Sequence, residues 1–379
     1  MNRREWLRSV CCGLLWLLSA ACLWAGGARN VILFLGDAAG IPTLNAASIY
    51  GYQAPRKLFV QNMPYIGLME TSTASQWVSD SAAGMTAIMT GVKTHNGMIS
   101  QGPDGVRGKQ DGRELKTILE YAEERGLSTG VITNDVLTGA TPAACYAHVN
   151  DRRKQAEIFA QLLQPRAGDG PDVLIGAGGT KLLDAIRGIV PEPEKAFRER
   201  GYVLAHRLED VPADAQRILV LYPDGHFDLG AAVDRAIQLL SRNRKGYFLM
   251  VESDLHTDDI VLGLERAVEF DRVIRRTAER LKGTPTLIVF TADHSYDFRI
   301  HSGRIGEPLL TEAERKQPTR NVETVRWTNI RRDDTHTAEE VLIAAQGPGA
   351  DQVRGVLSNT DVFRIILNAY GWKPASSSR

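Results

Sequence analysis

The sequence predicts an α/β fold built on a large, mostly parallel central sheet. Three continuous apolar runs, at 30–35, 246–251 and 286–290, have the length and composition of strands that are buried on both faces. An amphipathic stretch at 260–281 predicts a long helix between the last two runs, and strands that alternate with helices usually pair in parallel. The 379 residues, 43% of them hydrophobic, are enough for a core of this size.

The other elements follow from apolar runs for strands and from helix-start residues before amphipathic stretches for helices. Further strands are predicted at 65–71, 128–133, 172–179, 219–222 and 341–345, and further helices at 81–90, 115–125, from 141 onward and at 361–369. The helix that starts at Thr141 is expected to carry His148 and Arg152. Residues 181–213 and 297–332 are charged or irregular, which predicts peripheral insertions, the second of them a large loop or lid.

Residues 1–28 have the pattern of an export signal. Three arginines within the first eight residues form a basic start, an apolar stretch runs from 14 to 24, and small residues at 25–28 suit cleavage. The segment 2–8 resembles a twin-arginine signal, with Trp6 where that pattern usually has Phe. We therefore expect an exported protein, periplasmic or secreted, whose apolar start is too short for a stable membrane span.

Charge and cysteine content argue against several classes of protein and site. The 45 basic residues equal the 45 acidic ones, so there is no net field of the kind that attracts nucleic acid or lipid. Three of the four cysteines lie in the export signal, which would leave Cys145 alone after cleavage. Neither an internal disulfide nor a thiolate metal site is expected.

Ser81 lies at the predicted start of a helix of small residues, directly after Asp80. A helix N-terminus offers free N–H groups and the positive end of the dipole, which favour an anion. Ser81 is therefore a candidate oxygen nucleophile. The alternative is that Asp80 and Ser81 only cap the helix, as these residue types often do.

Acidic residues and histidines follow each of the three buried strands. Asp37 comes after the first, residues 252–259 after the second and Asp293-His294 after the third, while His336 precedes the last predicted strand. In open α/β sheets, ligands bind where the carboxyl ends of the strands meet. Carboxylate and imidazole groups are ligands of zinc, and sites made of oxygens suit magnesium, so we expect more than one divalent ion.

With these residues in place, the sequence resembles the alkaline phosphatases from Asn30 to the final helix. The resemblance is carried by short motifs whose order and spacing are specific: Gly36-Asp37, Asp80-Ser81-Ala82-Ala83, Gly91-Val92-Lys93-Thr94, Asn96-Gly97, Thr141-Pro142-Ala143-Ala144, His148-Val149, Arg152, Thr291-Ala292-Asp293-His294 and His336-Thr337. It implies a three-layer α/β sandwich in which residues 29–379 form one catalytic domain. It also implies hydrolysis of phosphate monoesters through a phosphoserine, with two zinc-type ions and one magnesium-type ion, and a homodimer as one assembly.

The resemblance implies a role for each matched residue at the nucleophile. Ser81 would accept the phosphoryl group. Asp37, Asp293 and His294 would hold the zinc that activates its oxygen. Arg152 would clamp two phosphate oxygens as a planar bidentate donor.

The other two ion sites are implied in the same way. His336 would belong to a second zinc site, for which Asp254 and His256 are the expected partners. Asp37, Thr141 and Glu252 would face the magnesium-type site.

The chain departs from the family in the segment 252–258, which is shorter than its counterpart. His256 lies at the family's distance before Phe270-Asp271, which favours it as the ligand. Glu252 and His256 are four residues apart, however, and could share one face of a helix. Asp258 is a third candidate, although acids at 258–259 could simply favour a helix N-terminus.

A second departure is Gly139. Many members of the family carry an acidic residue here, two positions before Thr141, that contacts the magnesium site and the arginine. The glycine leaves the affinity of the third site and the rigidity of Arg152 open.

Two other functions compete with a phosphate monoesterase. One is a phosphodiesterase or phosphonate hydrolase on the same fold, although those enzymes usually carry Thr rather than Ser81 as nucleophile. The other is an exported protein that binds metal or phosphate without turnover, because the shortened segment 252–258 fails to complete the metal sites.

Overall fold

The computed structural model describes residues 27–373, in which strands and helices alternate along most of the chain. The strands are β1 (Asn30–Asp37), β2 (Tyr65–Glu70), β3 (Ser128–Val136), β4 (Val173–Ala177), β5 (Tyr202–Ala205), β6 (Arg217–Tyr222), β7 (Tyr247–Asp254), β8 (Thr286–Thr291), β9 (Ser295–Tyr296), β10 (Arg299–Ile300), β11 (Thr324–Arg326), β12 (Ile330–Asp333), β13 (His336–Thr337), β14 (Val341–Gln346) and β15 (Gly355–Ser358).

The α-helices vary from one turn to six. They are α1 (Ile41–Tyr52), α2 (Ser81–Thr90), α3 (Ile118–Glu124), α4 (Ala140–Tyr146), α5 (Gln155–Gln161), α6 (Gly179–Ala185), α7 (Pro193–Glu199), α8 (Leu229–Leu240), α9 (Ile260–Arg280), α10 (Glu312–Arg315) and α11 (Asp361–Tyr370). Short 3-10 turns occur at Val60–Asn62, Leu208–Asp210 and Ala350–Gln352.

A ten-stranded sheet forms the centre of the fold, in the order β15-β2-β14-β8-β1-β7-β3-β4-β6-β5. From β8 to β5 all neighbouring strands are parallel, whereas β14 runs antiparallel to both β8 and β2. Helices α1, α8 and α9 form one layer on this sheet, and α2, α3, α4 and α11 form another. The predicted α/β class, a three-layer sandwich with a mostly parallel sheet, is confirmed.

The register of the central strands aligns the polar residues at their carboxyl ends. Asp37 of β1 lies opposite Asp254 of β7, and Leu35 lies opposite both Glu252 of β7 and Thr291 of β8. Every residue of β1 is buried, as its apolar run predicts. Asp37 and the residues that follow β7 and β8 therefore meet at one edge of the sheet.

One prediction about secondary structure is wrong. Helix α4 ends at Tyr146, so His148 and Arg152 lie beyond it and not on it. The backbone leaves the helix because Val149 pairs with Ile99, with the N–H of Ile99 2.9 Å from the carbonyl oxygen of Val149. This pairing partner lies fifty residues away in sequence, and so the local pattern of the helix could not show it.

His148 is held by protein groups on both sides of its ring. Its Nε2 lies 2.8 Å from Glu120 Oε1, and its Nδ1 lies 2.9 Å from the carbonyl oxygen of Ser100. The ring is buried between these partners. His148 therefore has a structural position.

The two charged segments contain regular structure. Residues 181–213 include α7 and the edge strand β5, and residues 297–332 include α10 and the small sheet β10-β12-β11. Strand β15 was not predicted, because it is a short edge strand that begins with a glycine.

The predicted export signal at 1–28 lies outside the described residues except for Gly27 and Ala28. Within 27–373, no helix has the length and apolar content needed to cross a membrane.

Arg332 joins the segment of small strands to the main domain. Its guanidinium is fully buried and donates to the carbonyl oxygens of Val322 at 2.7 Å, Asp258 at 2.9 Å and Thr319 at 3.0 Å. It also lies 3.2 Å from the carboxylate of Asp334. Hydrogen bonds from a charged donor are the stronger ones, and removing the donor would leave buried acceptors unpaired.

We therefore expect Arg332→Leu to lower the free energy of unfolding by about 3 kcal/mol, the usual range for breaking a buried charged network. Urea unfolding followed by circular dichroism measures the change. Arg331→Leu is the matched control, because Arg331 is the exposed neighbour on the same strand. Equal stability of the two variants would contradict the structural role of Arg332.

Candidate active site

Ser81 is the first residue of α2, and Asp80 is the residue that caps it. The Asp80 carboxylate accepts a hydrogen bond from the N–H of Ala83 at 3.0 Å. Because the cap is Asp80, the hydroxyl of Ser81 is not needed for it. Gly84 lets the helix approach the core closely, since a Cβ there would lie 2.5 Å from the main-chain oxygen of Asp293.

The hydroxyl of Ser81 points towards two of the predicted ligands. Its Oγ lies 3.3 Å from His294 Nε2 and 3.5 Å from Asp37 Oδ1. Beside it is a cavity of about 400 Å³ lined by Asp37, Ser81, Asp135, Arg152, Asp254, His256, Asp258, Tyr296, Asp334 and His336. Six of the ten predicted site residues thus line a single cavity.

Asp37, Asp293 and His294 form the first group that could hold a metal ion. One donor atom from each residue lies within 4.8 Å of the others. Burial and repulsion by Asp37 raise the pKa of Asp293 to about 6. Within residues 27–373, Asp293 Oδ2 is buried and accepts no hydrogen bond. A buried carboxylate oxygen in this state fits a cation, and two carboxylates with one imidazole suit zinc.

His256, His294 and His336 form a second group, again with one ring nitrogen each within 4.8 Å of the others. The rings of His294 and His336 are stacked, with their centroids 3.8 Å apart. His336 Nδ1 lies 3.0 Å from the carbonyl oxygen of Ser79, so it donates there and its Nε2 keeps a lone pair. This is the arrangement in which a histidine binds a metal.

The pKa values of the two outer histidines move in opposite directions. Burial and the imidazole of His294 lower the pKa of His336 to about 4. For His256, burial opposes the charged form, but Asp37 and Asp254 outweigh it and raise the pKa to about 10. Without an ion, the proton on His256 balances the surrounding carboxylates, and a bound cation would take over that role.

The structure decides between some of the alternatives in the segment 252–259. Glu252 lies in β7 and α9 begins only at Ile260, so the alternative in which Glu252 and His256 share one face of a helix is wrong. Asp259 caps α9 by accepting from the N–H of Leu262 at 3.2 Å. It is therefore a helix cap.

Asp254, His256 and Asp258 all line the cavity. Asp254 Oδ1 lies 2.8 Å from His256 Nδ1, and Asp254 Oδ2 lies 2.9 Å from Arg266 Nη1. The carboxylate of Asp258 lies 3.6 Å from Arg320 Nε. Asp254 and His256 are thus joined to each other, whereas Asp258 is paired with a surface arginine.

Glu252 and Thr141 belong to neither of the two possible metal-binding groups found among residues 27–373. They are also not among the described residues that line the cavity. Glu252 is buried and accepts a hydrogen bond from the hydroxyl of Thr133. Burial, followed by repulsion from Asp37 and Asp135, raises the pKa of Glu252 well above its usual range. Within 27–373, the buried hydroxyl of Thr141 has no hydrogen-bond partner. The carboxyl group of Glu252 and the hydroxyl of Thr141 therefore both have lone pairs that a cation could use.

Arg152 reaches the cavity from the loop after α4. Its Nη1 lies 3.3 Å from Asp80 Oδ2, and its main-chain N–H donates to the carbonyl oxygen of Gly97 at 2.7 Å. The guanidinium is one-third exposed. It can therefore meet an anion that enters the cavity beside Ser81.

Sequence reasoning missed three residues of the cavity. Asp135 follows a buried strand as Asp37 does, so the rule applied to the other strand ends would have found it. Tyr296 and Asp334 are joined by a hydrogen bond. Tyr296 lies in the two-residue strand β9 and Asp334 between β12 and β13, in segments too short to give a periodic signal.

The sequence is similar to those of known alkaline phosphatases. A sequence model of the alkaline phosphatase family matches residues 28–183 and 222–319. Streptomycin-6-phosphate phosphatase of Streptomyces griseus is 30% identical, with 91% of each chain covered. The alkaline phosphatase of Escherichia coli (strain K12) is also 30% identical, with 91% of this chain and 87% of that protein covered.

Solved structures show the same fold. The alkaline phosphatase of Thermus thermophilus superposes with a TM-score of 0.74 at 21% identity, and 93% of each chain is covered. That of the Antarctic bacterium TAB5 gives 0.71 at 24% identity, with 92% of this chain and 99% of that chain covered. The family model matches more than half of the chain, and so this protein belongs to the alkaline phosphatase family.

Proposed function

We propose that this protein hydrolyses phosphate monoesters through a phosphoserine formed at Ser81. The observation that carries the proposal is the position of the serine oxygen, 3.3 Å from His294 Nε2 and 3.5 Å from Asp37 Oδ1. A serine hydroxyl is a weak nucleophile unless a base or a cation activates it. The name of the relative from Streptomyces griseus, a streptomycin-6-phosphate phosphatase, also supports a monoester as substrate.

Two zinc-type ions and one magnesium-type ion fit the donors of the site. Asp37, Asp293 and His294 would hold the first zinc. Asp254, His256 and His336 would hold the second. Thr141, Glu252 and Asp37 would hold the magnesium-type ion. When bound, these ions would supply positive charge that lowers the pKa of a nearby hydroxyl and neutralises the phosphoryl group.

The residues of the chain orient the reaction. Ser81 Oγ forms the new bond to phosphorus, the bond to the alcohol oxygen breaks, and the serine proton ends on the released alcohol. Arg152 donates to two non-bridging oxygens, and the N-terminus of α2 adds positive potential beneath the phosphate. Water then hydrolyses the phosphoserine to phosphate and restores the serine.

Export and assembly are further proposals. We propose that residues 1–28 are a twin-arginine export signal, that residues 29–379 form one catalytic domain with peripheral insertions near 181–213 and 297–332, and that the protein acts in the periplasm or outside the cell. A homodimer is proposed from the resemblance to the family, and analytical ultracentrifugation distinguishes it from a monomer.

Ser81→Ala should lower kcat on p-nitrophenyl phosphate by at least about 10³-fold, because it removes the oxygen that forms the proposed covalent intermediate. Phosphate release with added zinc and magnesium measures turnover, and acid quenching detects the phosphoenzyme. Ser75→Ala, an exposed serine of the same region, is the control and should keep full activity. Retained turnover in Ser81→Ala would refute the nucleophile, faster hydrolysis of bis-p-nitrophenyl phosphate would favour a diesterase, and ion binding without turnover would favour a non-catalytic binding protein.

Arg152→Ala should raise the inhibition constant of phosphate by about 10- to 100-fold, the loss expected when a charged donor is removed from an anion. The next residue, Arg153, is largely exposed and paired with Asp151, so Arg153→Ala is the matched control. An unchanged inhibition constant in Arg152→Ala would contradict the phosphate clamp.

Replacing Arg3 and Arg4 together by lysine should stop export, since the arginine pair is the part of the signal that the export machinery recognises. Cell fractionation followed by immunoblotting measures the exported fraction. Arg8→Lys, outside the pair, should leave export unchanged. Export of the double variant at the normal level would show that the signal is of another type.

A further inference from the structure

Asp135 lies at the carboxyl end of β3, beside the predicted metal ligands. Its main-chain N–H donates to Thr133 Oγ1 at 2.8 Å, and that hydroxyl donates to Glu252. Strand β3 pairs with β7, and Thr133 is directly opposite Glu252 in the register. Asp135 is therefore tied to Glu252 through one shared hydroxyl, and its own side chain lines the cavity.

The carboxylate of Asp135 occupies space next to Gly139 that a side chain at that position would need. A Cβ on Gly139 would lie 2.8 Å from Asp135 Oδ2 and 2.9 Å from the main-chain oxygen of Val136. The backbone of Gly139, with φ −53° and ψ 156°, is open to every residue type. It is thus the lack of space, and not an unusual conformation, that excludes an acidic side chain at 139.

The charged groups that act on the carboxylate of Asp135 are residues of the candidate active site. Asp37 and Asp254 repel its carboxylate, and the guanidinium of Arg152 attracts it. Asp135 in turn repels Glu252. One carboxylate thus lies within electrostatic reach of both the oxygen donors and the candidate phosphate clamp.

A second, independent feature indicates a cation on this side of the site. Thr141 follows two residues after Gly139, and among the described residues its buried hydroxyl has no hydrogen-bond partner. Helix α4, which carries it, packs on both β3 and β7. The donors gathered here are all oxygens, the set that magnesium prefers.

We propose that Asp135 supplies the acidic group that Gly139 lacks. Its carboxylate would face the magnesium-type site, and its negative charge attracts and orients the guanidinium of Arg152. The inference rests on the proposed function for the existence of that third ion. The chain has glycine at 139 but still has an acid in this part of the site, because Asp135 lies at the end of β3, four residues earlier.

The test is magnesium binding to the zinc-loaded full chain, measured by isothermal titration calorimetry. Asp135→Asn should weaken the Kd for Mg²⁺ by about 10- to 100-fold, the usual effect of losing a carboxylate close to a metal. Asp135→Glu should stay within about tenfold of the wild type, because it keeps the charge. Asp224→Asn should bind as the wild type does, since Asp224 is an exposed acid of the next loop whose carboxylate accepts from the N–H of His226.

Zinc content and thermal unfolding are measured for each variant, so that a folding defect is recognised. If Asp135→Asn folds and binds Mg²⁺ as tightly as the wild type, the proposal is overturned. It is equally overturned if the wild-type chain binds no Mg²⁺ in addition to zinc. If Asp135→Asn does not fold, Asp135→Ala decides, because it also removes the carboxylate: Mg²⁺ binding weakened by about 10- to 100-fold supports the proposal, and binding as tight as that of the wild type overturns it.

Parallel assays of phosphate release separate this inference from the proposed function. Weaker Mg²⁺ binding in Asp135→Asn, in a chain whose wild type hydrolyses no phosphate monoester, supports Asp135 and refutes the function. If the wild type hydrolyses phosphate monoesters and Asp135→Asn binds Mg²⁺ unchanged, the function is supported and the role of Asp135 is refuted. A raised inhibition constant for phosphate in Asp135→Asn, with zinc content unchanged, supports the orienting effect of Asp135 on Arg152.

Discussion

Negative charge gathered at one edge of the sheet is the constraint on which the rest of the site depends. Strands β8, β1, β7 and β3 are neighbours and run parallel, so Asp293, Asp37, Asp254 and Asp135 come together where these strands end. Burial and repulsion by neighbouring carboxylates raise the pKa values of both Asp293 and Glu252. Buried carboxylates at this density need cations beside them, whether imidazolium, guanidinium or metal. The histidines and the proposed ions therefore neutralise negative charge that the strand order brings together.

The remaining architecture brings Ser81 to that charge in a defined position. Asp80 caps α2 and contacts Arg152, so one carboxylate links the helix start to the anion-binding guanidinium. Gly84 allows the helix to pack directly on the backbone of Asp293. Further away, Arg332 of β12 donates to the main-chain oxygen of Asp258, a residue that lines the cavity. This hydrogen bond holds the small sheet β10-β12-β11 against the main domain. Positioning therefore comes from close main-chain packing at Gly84 and from side chains that bond the helix start and the main chain.

Much of the fold and part of the site follow from the sequence, for different physical reasons. The central strands are buried on both faces, so their continuous apolar runs identify them, and the acids directly after them identify Asp37 and Asp293. Strand β15 and the end of α4 escaped prediction because an edge pairing and a distant strand partner determine them. Asp135 was missed although it ends a buried strand as Asp37 does, because the contact of its carboxylate with the space beside Gly139 is a matter of packing that no local sequence pattern shows.

The central claim is that ions bound between these carboxylates and histidines face the oxygen of Ser81. A crystal structure with zinc, magnesium and phosphate, with anomalous data at the zinc edge, tests it most directly. The account predicts one zinc peak bound by Asp37, Asp293 and His294 at about 2.0–2.2 Å and adjacent to Ser81 Oγ, and a second beside His336. No zinc peak at Asp293, or a serine oxygen remote from every ion, would contradict it.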